Sequence, residues 1–123
     1  MKIIALPDIH KTGVTWLSFF ADDLAAADLV LLVGDITNGR RDGQTVLDAR
    51  RRYTPRLRAV PGNWDSNAVE DSLAAQHLSL HGRCENINGL AFVGVGGALA
   101  PTAGGPRTYS EALLDAYLRL TLP

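Results

Sequence analysis

The stretch LVLLVGD, from Leu29 to Asp35, decides how this chain is read. Leu29–Val33 is continuously apolar and is followed at once by Gly34-Asp35. A short run of this kind, bounded by turn residues, is the pattern of a strand covered on both faces. Two other runs share the design. Residues 3–6 lead into Pro7-Asp8-Ile9-His10, and Leu57–Val60 leads into Pro61-Gly62-Asn63-Trp64-Asp65. As parallel strands, all three deliver polar side chains to their carboxyl ends, the rim where open α/β sheets hold ligands.

Helical patterns separate the strands. Over residues 14–27, Trp16, Leu17, Phe20 and Leu24 share one face, and over 44–52 Val46, Leu47 and Arg50 lie alongside one another. Residues 66–75 form a third helix with Ser66 as N-cap. The character then changes. Residues 77–80, 83–87 and 90–95 are short strand-like runs, and Asn88-Gly89 is a hairpin turn signal. Residues 94–105, rich in Gly, Ala and Pro, read as a loop. Thr108 and Glu111 have capping-box spacing ahead of a helix over 112–120, with Leu113, Leu114, Tyr117 and Leu118 on one face. The expected fold class is therefore α/β: a βαβαβα parallel sheet with right-handed crossovers, a short antiparallel hairpin and a C-terminal helix.

Bulk properties narrow the function. A chain of 123 residues makes one domain, 1–123. A formal charge of −1 gives no long-range field to draw nucleic acid or a membrane surface. Cys84 is the single cysteine, so an intrachain disulfide is impossible and a reducing compartment fits. No secretory signal and no apolar stretch of about 20 residues is present, which predicts a cytoplasmic protein without membrane contact.

The three strand-end clusters carry the chemistry. Asp, His and Asn offer oxygen and imidazole ligands, a set suited to Mn, Fe, Zn or Ni rather than to a sulfur site. Asp8 and His10 lie two apart, so on an extended strand end both point the same way and can grip one ion. Asp35 has a second oxygen with which to bridge to another ion, and Asn63 offers a neutral carbonyl oxygen. Asp65 joins the catalytic set as the residue that orients a neighbour or holds a turn. Any one of these residues read alone is a turn former or a surface group. Their recurrence at three successive strand ends selects the metal reading.

Asp8-x-His10, Gly34-Asp35 and Gly62-Asn63-x-Asp65, in this order, resemble the first half of the calcineurin-like metallophosphoesterase family, of the small bacterial and archaeal phosphodiesterase type. Residues 80–97 resemble the hairpin that follows in those proteins. The resemblance implies a β-sandwich flanked by helices, here incomplete and truncated at its C-terminus. It implies that Asp8 and His10 hold a first metal, Asp35 bridges and Asn63 holds a second. The implied reaction is attack on phosphorus by a metal-activated hydroxide, in line with the leaving oxygen.

Two departures bend that expectation. Many members carry His after the Asn; here Trp64 stands there, with one indole N–H and no capacity for general acid catalysis. That favours phosphodiesters over monoesters. The family's Gly-His-x-His loop is missing, since the three histidines are His10, His77 and His81, the last two being surface or strand-end residues. An incomplete sandwich leaves an apolar sheet face and an open edge. The expected partners are therefore a second copy of the chain or a separately encoded C-terminal half, besides the phosphate-ester substrate. The rival reading is a catalytically inactive, self-associating remnant of the fold.

Weaker signals absorb less. Seven basic residues fall between Arg40 and Arg58, a solvated helix face or a lure for a phosphodiester or nucleic-acid substrate. Gly94-Val95-Gly96-Gly97 lacks the helix a dinucleotide loop would open, so a tight turn is expected. Trp16, Phe19 and Phe20 read as core, and Cys84 as inert.

Overall fold

A computed structural model describes residues 1–10, 17–37, 47–48 and 51–123. The fold is mixed α/β. Strands β1 (Ile3–Pro7), β2 (Leu29–Val33) and β3 (Leu57–Val60) form a parallel sheet in the order β1-β2-β3. Its register pairs Leu6 with Leu32 and Leu32 with Ala59, which brings the three carboxyl ends level. Beyond β3, Ser79 makes a single parallel bridge to Ala59, and His81 another to Gly94. These bridges carry the chain to an antiparallel hairpin, β4 (Arg83–Ile87) and β5 (Leu90–Gly94). Asn88 and Gly89 both have positive φ, +52° and +83°, the twist a two-residue hairpin turn requires.

Helices cover one face of the sheet. A 3₁₀ turn over Leu17–Phe20 runs into α1 (Ala21–Ala26), and α2 (Asn67–Ala75) follows β3. The core joins Val30, Leu32, Leu57 and Ala59 from the sheet to Leu24 of α1 and to Val69 and Leu73 of α2. Leu47 is also buried in it, although most of the helix expected over 44–52 lies outside the described residues. The opposite sheet face is covered only in part: Leu29 is buried and Phe92 and Val93 of β5 flank Leu31, Val33 and Val60, but Ile3 and Val33 are exposed and Leu31 and Val60 half-buried.

Several expectations shift. The helix expected over 14–27 is, in its described part, a 3₁₀ turn followed by barely two turns of α-helix. At about three residues per turn, the 3₁₀ segment rotates its side chains off the α-helical stripe. Leu17 and Leu24 are buried, whereas Phe19 (83%) and Phe20 (47%) are exposed rather than core. Trp16 lies outside the described residues. The loop over 94–105 contains β6 (Ala98–Leu99), which pairs in parallel with β7 (Thr108–Tyr109). Thr108 is thus a strand residue, and the last helix, α3 (Glu111–Thr121), is capped by Ser110, whose Oγ accepts the Leu113 N–H at 3.2 Å. Ser66 does occupy the N-cap of α2, with its backbone carbonyl rather than its hydroxyl taking the Val69 N–H. No helix among the described residues is long and apolar enough to cross a membrane.

Candidate metal centre

Asp8, His10 and Asp35 converge. Ligand atoms of the three lie within 4.8 Å of one another, past the ends of β1 and β2. Strand alternation is not what joins Asp8 to His10. Both residues have left-handed backbone, each with φ +47°, and Asp35 joins them at +46°. Asp, Asn and His tolerate this region better than other L-residues, but it still carries strain, and such strain persists where the surroundings over-determine it. Here the surroundings do so. The His10 N–H donates to the Asp35 carbonyl at 3.1 Å, stitching the first rim loop to the second.

The imidazole is oriented as well. Thr37 O lies 3.3 Å from His10 Nδ1, and a carbonyl can only accept, so Nδ1 is the donor and, in the neutral ring, Nε2 is the nitrogen left to take a ligand. A backbone carbonyl accepting from the second ring nitrogen in this way is a usual partner of a metal-binding histidine.

Asp35 is nearly buried and accepts the Trp64 N–H at Oδ1, 3.1 Å. Burial pushes its carboxyl above the usual carboxylate range. The Trp64 amide works against that rise, the Asp65 and Asp8 carboxylates add to it, and His10 partly relieves it. With its folded value raised, the group binds more protons native than unfolded, so stability falls as pH rises from the ordinary carboxylate range through the raised one. Among the described residues no Lys or Arg pairs with Asp8 or Asp35. A donor set of two carboxylates and an oriented imidazole, crowded by like charge, fits a divalent cation.

Asp65 is wholly buried and faces the scaffold. Its Oδ2 accepts the N–H groups of Ile36 (2.9 Å) and Gly62 (2.7 Å); its Oδ1 accepts the N–H (2.7 Å) and hydroxyl (2.9 Å) of Thr37. One carboxylate thus clamps the loop after β2 to the loop after β3, and its turn-holding role is the one the geometry displays. Gly62 is needed there. A Cβ on it would lie 2.0 Å from both the amide nitrogen and Oδ1 of Asp35, so only glycine lets the third loop approach the second.

Asn63 stands one residue before the Trp64 amide that binds Asp35. Its Nδ2 donates to Gly104 O at 2.6 Å, which leaves Oδ1 without a partner among the described residues. Of the other histidines, His77 is exposed at the end of α2. His81 packs between Tyr109 and Tyr117 and accepts the Gly96 N–H at Nδ1, and burial pushes its pKa down. Arg51, Arg56 and Arg58 bond to Gln76, Ala27 and Glu85. Arg40, Arg41 and Arg50 lie outside the described residues. Thr37 escaped sequence reasoning, because nothing in its type marks a carbonyl that orients a histidine or an amide that binds a buried acid. Its only signal is the two-residue spacing after Asp35, the same as between Asp8 and His10.

Comparison with known proteins finds an archaeal relative. Over 113 residues the chain is 29% identical to an uncharacterized protein of Methanocaldococcus jannaschii, a match covering 90% of this chain and 50% of that one. The chain thus spans about half the length of the curated relative it matches. No family model matches, and no solved structure does.

Proposed function

We propose that this domain is a metal-dependent phosphoesterase of the metallophosphoesterase type, acting on phosphate esters and on diesters in preference to monoesters. The observation that carries the reading is the meeting of Asp8, His10 and Asp35 within 4.8 Å, with His10 oriented by Thr37. Asp8 and His10 would hold a first divalent cation (Mn, Fe, Zn or Ni), Asp35 would bridge to a second, and Asn63 would add its Oδ1. When bound, such cations activate water and stabilise charge on phosphoryl oxygens. The chain's own part is positional. Thr37 fixes the imidazole, the Trp64 amide fixes one Asp35 oxygen, and Asp65 holds both loops. Trp64 cannot protonate a leaving group, which favours esters whose leaving oxygen needs no acid.

The partly uncovered sheet face supports a partner. Ile3, Leu31, Val33 and Val60 would be covered by a second copy or by a C-terminal half completing a β-sandwich, and the relative's double length agrees with the latter. The same face favours a second reading, a self-associating domain without catalysis. Mn²⁺-dependent hydrolysis of bis(p-nitrophenyl) phosphate, with Asp35→Ala alongside, separates the two. Turnover lost in the variant supports the enzyme; turnover no greater than the variant's supports the second reading. Light scattering over a dilution series tests the partner, and a monomer at every concentration rules out self-association.

A further inference from the structure

Trp64 is the large side chain this site leaves in solvent. It sits in sequence between Asn63 and the buried Asp65, on a turn whose other residues are half-buried or buried, yet its side chain is 49% exposed. A tryptophan serving only the core would bury its ring, since its area is the largest apolar contribution a single residue can make.

The ring is also held. Its six-membered part lies against the backbone of Gly104 and Gly105: a Cβ on Gly104 would lie 3.3 Å from Cζ2 and Cη2, and one on Gly105 3.2 Å from Cδ2. That loop is tied to the same turn from two sides. Asn63 Nδ2 donates to Gly104 O, and the Arg107 N–H donates to Asn63 O at 3.1 Å. Arg107 is itself buried, its guanidinium bonded to Tyr109 Oη and Asn67 Oδ1, both at 3.1 Å. From its own backbone, Trp64 reaches Asp35 Oδ1. The indole therefore rests against Gly104 and Gly105 with about half of the residue in solvent, on a residue whose own backbone N–H is bonded to the metal-ligand set.

We propose that Trp64 is a stacking platform that selects phosphoesters carrying a flat aromatic group, the nucleobase of a nucleotide ester. This rests on the phosphoester reading of the neighbouring carboxylates. A planar π-face in a fixed position stacks on any base without hydrogen-bond readout. Because the ring is already braced, little side-chain freedom is lost when the base arrives. Base–aromatic stacking is worth about 5- to 150-fold in affinity per base, so that is the discrimination Trp64 supplies.

The test is equilibrium binding by calorimetry of AMP and of ribose 5-phosphate, in Mn²⁺, to wild type, Trp64→Phe and Trp64→Ala. Binding of Mn²⁺ alone is measured on each protein, and a thermal melt confirms the fold. The expected result is AMP bound at least about 5-fold more tightly than ribose 5-phosphate by wild type and Trp64→Phe, with the preference lost in Trp64→Ala while ribose 5-phosphate affinity holds. Equal affinity for the two ligands in wild type overturns the proposal, as does an AMP preference that survives Trp64→Ala. If Mn²⁺ binds normally in either case, only the platform has failed. If wild type takes up no Mn²⁺, the phosphoester reading fails, and the AMP preference still decides the platform on its own.

Discussion

Replacing Asp65 by asparagine exchanges one oxygen for an amide nitrogen, in a side chain that no solvent reaches and that four donors address. Placed at the Oδ2 position, the new NH₂ group faces the N–H groups of Ile36 and Gly62. Turned about, it faces the Thr37 N–H, while the Thr37 hydroxyl can rotate to accept from it. Whichever way it settles, at least one buried backbone N–H loses its acceptor, at about 1–3 kcal/mol. The surviving bonds lose their charge assistance, which roughly halves their strength. The expected loss is about 2–4 kcal/mol, a large share of a typical domain's ~5–15 kcal/mol. A chain of 123 residues unfolds with about 0.26 kcal/mol per kelvin of entropy, so the melting temperature should fall by about 8–15 °C. Circular dichroism melts at fixed pH without metal measure it. Thr37→Val, which removes only the hydroxyl, serves as the control at about 1 kcal/mol. Melting of Asp65→Asn within about 2 °C of wild type would refute the clamp.

Three further outcomes are expected. Gly62→Ala pushes a methyl against Asp35 and should cost about 1–3 kcal/mol while weakening Mn²⁺ binding; calorimetry finding wild-type metal affinity would show that the two loops do not depend on this approach. Arg58 grips Glu85 with two hydrogen bonds and holds its carboxyl below the usual carboxylate range. With its folded value depressed, the stabilisation is present above the unfolded value and is lost as pH falls through the folded one. The pair is partly solvated, so Glu85→Gln should cost about 0.5–1 kcal/mol at pH 7 and nothing at the acid end. Urea titrations whose gap stays constant to pH 3 would contradict this. Ser110→Ala removes the α3 cap and should cost about 1 kcal/mol with no effect on metal binding, whereas an unchanged urea midpoint would mean the cap contributes nothing.

Much of the sheet was legible in the sequence, as were the residues Asp8, His10 and Asp35 that the fold brings together. Five unbroken apolar residues at 29–33, bounded by turn residues, read as a strand, and it is one, although not covered on both faces as the run suggests, since Val33 is exposed and Leu31 half-buried. Asn88-Gly89 announced its turn because few other pairs take positive φ twice in succession. Short helices were less legible. Phe19 and Phe20 obey an α-helical period on paper, but the 3₁₀ turn that precedes α1 depends on how the chain leaves the rim loop, a matter of packing. The capping box at Thr108 was displaced by two residues for a similar reason, since β7 claims Thr108 for a pairing with β6 that lies ten residues earlier.

By itself, then, the sequence determined which residues are available for metal chemistry and on which strand ends they sit, because periodicity and side-chain type are local properties. Only the tertiary structure decided how they meet. Left-handed backbone at Asp8, His10 and Asp35 aims their side chains, the Thr37 carbonyl chooses the His10 tautomer, Asp65 turns inward as a clamp, and Trp64 stays outside against Gly104 and Gly105. The contacts His10–Asp35, His10–Thr37, Asp65–Thr37 and Trp64–Gly104 each join residues at least 25 apart in the chain, and no local pattern encodes a contact between residues so far apart.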